Sequence, residues 1–248
     1  MRHPRRIVAG TAALAAGAAA LVVGLSPAAA GGKDAPTYRV TIENLTGGQA
    51  FTPPIAATHA GRHLMFDVGR PARNQIAQIA ENGDLAPMSA LLAASRRVAS
   101  TYTGMEPLVP AMNPAGTPFS SSASFEIDGR RGHHRLSWAS MLICTNDGFT
   151  GLDGLRLPRR VGHTVVVRTA AYDAGTEANT EDFGDLVPPC QALIGVTGDE
   201  PGTGESDPAL ATNDVIRHHP GISGREDLDP SVHGWSDPVA EVTVTRID

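Results

Sequence analysis

Short stretches of alternating apolar and polar residues, each closed by glycine, proline, asparagine or aspartate, recur along this chain and restrict it to strands joined by turns. Tyr38-Arg39-Val40-Thr41-Ile42-Glu43-Asn44-Leu45 alternates with period two and stops at Thr46-Gly47-Gly48, the pattern of a half-buried strand with a turn behind it. Residues 119–127, 135–144, 163–172 and 239–247 are likewise β-branched or alternating and bounded by turn formers. The 27 glycines and 19 prolines come to about a fifth of the chain against a usual share of roughly 12%. A helical bundle has no use for so many breakers. Two short helices are expected near the N-terminal end. Residues 71–82 open on Pro71, close before Gly83 and carry Ala72, Ile76, Ile79 and Ala80 in phase; residues 87–98 open on Pro87 and place Arg96 and Arg97 late, where they suit the helix dipole. First and last strands bracketing the domain imply an all-β antiparallel sandwich with the two helices inserted. Residues 195–214 lack apolar periodicity and read as a mobile surface loop.

The N-terminus reads as an address. Three arginines (Arg2, Arg5, Arg6) precede a nearly unbroken apolar run over 7–25, and Ser26-Pro27-Ala28-Ala29-Ala30 supplies a helix breaker and small residues. That order is a secretory signal over residues 1–30 with cleavage after Ala30, leaving one domain over 31–248. Alanine and glycine make the run weakly hydrophobic for a retained anchor, so the mature form is expected to be secreted without membrane insertion. Cys144 and Cys190 are the only cysteines, with no C-x-x-C. In an oxidising compartment an even count favours a disulfide between them. The formal net charge is -6, and loss of the three leader arginines makes it more negative. Bulk electrostatics therefore disfavours nucleic acid or anionic lipid as a partner.

Oxygen ligands are densest in two segments, Thr145 to Gly154 and Asp173 to Asp182, each directly after a predicted strand. Adjacent strand ends would bring both to one rim. Calcium takes six to eight oxygens in irregular geometry, which acid-rich loops with glycines can offer. An EF-hand is excluded: with Asp173 as first position, Ala178 stands where the sharp-turn glycine belongs and Gly184 where the bidentate glutamate belongs. Two polar hairpin turns with solvated acids are the other reading that composition leaves open. The nine histidines include His133-His134 and His218-His219, but neighbours on an extended strand point to opposite faces and no H-E-x-x-H occurs, so zinc is disfavoured. The mature chain has no G-x-S-x-G. A glycosidase would find paired carboxylates, yet only Trp138 and Trp235 as indole sugar platforms.

Several blocks carry a resemblance. Tyr38 to Thr46, Phe51-Thr52-Pro53-Pro54, Ala57-Thr58-His59, Ser140-Met141-Leu142 with Thr145 to Asp153, Ala171-Tyr172-Asp173-Ala174-Gly175-Thr176-Glu177-Ala178-Asn179, and Trp235 with Pro238-Val239-Ala240 together resemble the spondin N-terminal domain of bacterial secreted proteins. The blocks run in family order through nearly the whole mature chain. The resemblance implies an eight-stranded antiparallel sandwich similar to calcium-dependent lipid-binding modules, with Ca2+ at one end and a role in adhesion. By position it assigns Asp147 and Asp173 to the metal, with Glu177 and Asp153 next. Arg135 stands where animal members carry a glutamate, and the thrombospondin repeats of those members are missing. The expectation is thus a secreted calcium-binding adhesion or binding module with no catalytic residues, whose partner is an extracellular protein or glycan. The alternative is a secreted hydrolase using the acidic loops with a metal-activated water.

Overall fold

The computed structural model describes residues 35–248; the signal expected over residues 1–30 lies outside the described residues. Ten strands form two antiparallel sheets. The first holds four strands in the order β4(Ser122–Asp128), β1(Thr37–Asn44), β10(Ala240–Arg246), β7(Thr164–Thr169). The second holds six, in the order β3(Val98–Thr103), β2(Ile55–His59), β5(Arg135–Met141), β6(Gly148–Arg156), β8(Ala171–Asp173), β9(Arg217–His218). Four short helices, α1(Asn74–Asn82), α2(Ala86–Ala94), α3(Pro189–Ile194) and α4(Pro230–His233), and one 3-10 turn complete the elements of the described residues. The all-β sandwich with two inserted helices is therefore correct. Its strand count is ten where the resemblance implied eight.

Two apolar layers hold the sheets. Between them, Val40, Ile42, Phe125, Val242 and Val244 of the first sheet meet Ala56, Leu136 and Trp138 of the second. The outer face of the six-stranded sheet is also covered, because Ile55, Ala57, Ala139, Met141 and Phe149 pack with Ile76 and Ile79 of α1, Met88 and Leu92 of α2 and Leu193 of α3. This double burial explains what the alternation missed. All five residues of β2 are buried, and a strand covered on both faces has no reason to alternate.

Two corrections concern segments expected from local pattern. Residues 163–172, expected as one strand, are two: β7 belongs to the first sheet and β8 to the second, so the chain crosses between layers at Ala170. Residues 148–154, read as loop for their glycines, begin strand β6. Gly151 sits opposite Ala139, where an added Cβ would strike the carbonyl of Trp138. Its glycine permits the close approach of β5 and is not a turn signal.

The expected disulfide is present. Cys144 and Cys190 are bonded with Cα atoms 4.9 Å apart, both fully buried. The bond ties the turn before β6 to α3 across 46 positions of chain. Closing a loop of that length restricts the unfolded ensemble by about 4 kcal/mol. The expected outcome is a single Cys144–Cys190 crosslink in a non-reducing peptide map, and a paired Cys144→Ala/Cys190→Ala variant less stable by about 3–4 kcal/mol in denaturant titration.

Candidate functional site

The acidic rim grows from the register of β6 and β8. Gly148 pairs with Asp173 and Phe149 with Tyr172, so Asp147, one residue before β6, lies beside the last residue of β8. The backbone closes this corner: the N–H of Ala174 donates to the Asp147 carbonyl at 3.0 Å. The next turn then wraps the Asp147 side chain. Its Oδ2 accepts the N–H groups of Thr176 (2.7 Å) and Glu177 (3.1 Å) and the Thr176 hydroxyl (3.2 Å). Its Oδ1 is buried with no hydrogen-bond partner among the described residues. A buried carboxylate oxygen left unmatched is costly. Burial, and then the neighbouring Asp173, push the Asp147 carboxyl up to about 6, against the hydrogen bonds from Glu177 and Thr176.

Asp173 is fully buried and differently served. Oδ1 accepts the Gly175 N–H at 2.8 Å, while Oδ2 takes the Asn179 amide at 2.9 Å and the Arg217 guanidinium at 3.1 Å. Arg217 reaches it from β9, and also pairs with Asp214. Glu177 is buried a little further out, with Oε1 accepting the Asp207 N–H at 3.0 Å. Burial pushes its carboxyl up to about 7; the Asp207 N–H opposes this, and the charges of Glu81, Asp147 and Asp207 add to the rise.

Of the four residues expected at the metal, the fold brings three to this rim and takes one away. Asp153 is in the middle of β6 and accepts the N–H groups of Leu64 (3.0 Å) and Met65 (3.3 Å) through Oδ1, which also takes the Ser137 hydroxyl. Five residues of extended strand separate it from Gly148, roughly 17 Å. The reason is the one given above for β6: a segment read as loop is strand, so its two aspartates cannot converge. Among the described residues no three His, Cys, Asp or Glu side chains are gathered closely enough to hold a metal by themselves. The unpaired Oδ1 of Asp147 fits a hard cation; Asp173 could share it only by yielding its bond to Arg217 or Asn179, and the remaining ligands would be backbone carbonyls, hydroxyls or water.

Ser137, His59 and Asp153 are the nearest approach to a nucleophile and base. His59 Nε2 lies 2.7 Å from the Ser137 hydroxyl, which in turn bonds Asp153. Both His59 and Ser137 are fully buried, and burial lowers the His59 pKa. With the serine proton committed to a carboxylate, this trio clamps β2, β5 and β6 together and presents no attacking oxygen.

Four more residues organise the rim: Asn179 and Glu181, which fall in the Asp173–Asp182 segment singled out for its oxygens but without an assigned role, and Arg217 and His219, which local pattern did not tie to it. Glu181 is buried with φ +67°, and its two oxygens gather Ser223 N–H and hydroxyl, Gly224 N–H and Arg225 N–H. Burial would raise its pKa, but these bonds outweigh it and hold the group below its ordinary value. His219 accepts the Gly221 N–H at Nδ1 (3.0 Å), so the proton sits on Nε2, 3.1 Å from Asn179 Oδ1. Burial lowers its pKa to about 4. Only the polar character of their side chains was legible; partners 40 residues distant in sequence leave no local signal.

His219 sets an acid limit on the fold. Its folded pKa lies below the unfolded value near 6.5, so its contribution is complete above that value and is lost as pH falls toward 4. The difference corresponds to roughly 3 kcal/mol. Asp147 acts oppositely, its contribution falling away as pH rises through about 6. Denaturant titrations between pH 4 and 7 should show wild type losing about 2–3 kcal/mol more on acidification than His219→Gln, whose amide can keep both hydrogen bonds.

The Spondin_N family model matches residues 32–183 of the chain. That stretch contains Asp147, Asp153, Asp173 and Glu177 together with Cys144, and stops before Cys190, β9 and β10. A comparison with curated proteins finds no match. Among the described residues no helix is long and apolar enough to cross a membrane.

Proposed function

The chain belongs to the Spondin_N family, and on that footing we propose that it is a secreted, calcium-binding adhesion module without catalytic activity. The single observation behind the calcium assignment is the Asp147 Oδ1 atom, buried without a partner beside the equally buried Asp173. A divalent cation satisfies such an oxygen and the repulsion between the two carboxylates together. Asp147 would be the central ligand and Asp173 the second, with Glu177 further out, where its Oε1 accepts the Asp207 N–H. Asp153 is left to the His59–Ser137 clamp.

The same geometry suggests why a cation would matter for binding. Asp147 organises the Thr176–Glu177 turn, Asp173 holds Arg217 and Asn179, and Asn179 holds His219. A metal at Asp147 would therefore stiffen a rim built from three separate segments, and a rigid rim loses less conformational freedom on meeting a partner. An extracellular protein or glycan docking there should depend on the cation.

Calcium at one hundred times its Kd stabilises a folded state that alone binds it by about 2.7 kcal/mol. For a domain of this size that is roughly 5–10 °C in Tm. The expected outcome is a rise of this order on adding Ca2+ to chelator-treated protein, absent in Asp147→Asn and retained in Asp153→Asn after allowance for the latter's lower baseline. Indifference of the wild-type Tm to both calcium and chelator would overturn the assignment.

A further inference from the structure

The end of the sandwich opposite the acidic rim is made of arginine. In the first sheet Tyr38 pairs with Arg246 and Thr37 with Asp128, so the start of β1 and the ends of β4 and β10 lie together. In the second, Arg135 at the start of β5 faces His59 at the end of β2 and Arg156 at the end of β6, while β3 starts beside His59. The Thr58 hydroxyl donates to the Asp128 carbonyl at 2.5 Å and joins the two sheets at this end. The connections 95–97, 129–134 and 157–163 are therefore neighbours, and Leu157 N–H to His134 carbonyl (2.9 Å) links the last two directly.

These three connections carry Arg96, Arg97, Arg130, Arg131, Arg159 and Arg160, all exposed. Among the described residues none of the six forms an ion pair with a carboxylate. Asp128 and Asp248 share this end, but each accepts a hydrogen bond from Thr37. Arg130, Arg131 and Arg159, with His133, His134 and Arg246, line an open pocket of about 360 Å³. The net charge of -6 hides this polarity. Strands of seven to nine residues are roughly 25 Å long, more than two Debye lengths at physiological salt. An anion at the basic end is thus screened from the acidic rim.

We propose that this arginine end binds an acidic polysaccharide, a chain bearing sulfate, phosphate or uronate groups. The whole sequence has a single lysine, Lys33, so the cations here are guanidiniums, which pair bidentately with such groups. Six of them spread over three connections suit a repeating anion better than one small ion. Single-stranded nucleic acid is disfavoured because Tyr38, the one Phe, Tyr or Trp lining the pocket, is buried, which leaves only the small imidazole rings of His133 and His134 as stacking faces. A membrane surface is disfavoured because Val161 is the one exposed large apolar side chain in these connections, short of an insertable face.

The site is separate from the calcium rim, so its test is run in chelator. Dextran sulfate of defined length, with neutral dextran as blank, would be titrated against the full mature chain at several salt concentrations. Binding that weakens steeply with salt is expected, with no binding of neutral dextran. Arg130→Ser/Arg131→Ser and Arg159→Ser/Arg160→Ser should each weaken it at least tenfold with unchanged Tm and reduce the salt slope by roughly two, about one per arginine. The charge-matched pair Arg70→Ser/Arg225→Ser, from exposed positions beside Ile216 and Glu181, should stay within twofold of wild type. No binding at low salt, equal loss in the control pair, loss on chelation, or equally tight binding of a single-stranded oligonucleotide or of phosphatidylserine vesicles would overturn the proposal. None of these outcomes touches the thermal response to calcium.

Discussion

Everything in this molecule depends on β5 being covered on both faces. Leu136 and Trp138 point into the space between the sheets, while Ala139 and Met141 belong with the layer under the helices. A strand buried on both sides needs two covers, and the chain supplies them from different places: the four-stranded sheet on one side, the inserted helices with α3 on the other. Because β6 pairs along β5, this arrangement also sets where Asp147 enters the fold and how closely β8 can approach it. The acidic rim inherits its rigidity from that apolar layer, and the disulfide from Cys144 pins its base to α3.

The rim illustrates how a fold manages buried charge. Asp173 is compensated by Arg217 and Asn179, and Glu181 by three consecutive backbone N–H groups and a serine hydroxyl. Asp147 is compensated on one oxygen only. Partial compensation is costly in a low-dielectric site, and this is the cost that the proposed cation would remove. The contrast with Asp153 is instructive, since its second oxygen is also without a hydrogen bond. There, however, Nδ1 of the His63 ring stands 4.0 Å away at the protein surface, so a polar neighbour is present within the chain.

Charge is also organised over the length of the sandwich. Antiparallel strands return the chain to each end in turn, so sequence-distant connections share a surface, and here one end gathers carboxylates and the other guanidiniums. The two binding roles proposed above, a cation-dependent one at the rim and an anionic one at the far end, would each use one of these chemically opposite ends. Such a division would suit the adhesive role proposed above.

Much of this was readable before folding. The turn residues, the period-two segments over β1, β4 and β10 and the two short helices, which span 74–82 and 86–94 where 71–82 and 87–98 were expected, so that Pro71, Arg96 and Arg97 lie outside them, reflect local physics: backbone preferences and one-sided burial leave a mark on neighbouring residues. The cysteine pairing followed from there being two, and the family blocks placed Asp147, Asp173 and Glu177 near one another. What the sequence could not reveal lies where burial is two-sided or contacts are remote. β2 has no alternation because both its faces are dry. Gly151 looks like a turn former but exists to let two strands approach, so β6 and the true position of Asp153 emerged only from sheet register. Arg217 and His219 became part of the rim because β9 pairs with β8, and the six arginines became one surface because strand ends coincide. Local sequence determines which elements form; which side chains meet is decided by tertiary packing, since the apolar area that strand pairing buries outweighs any preference a short segment has alone.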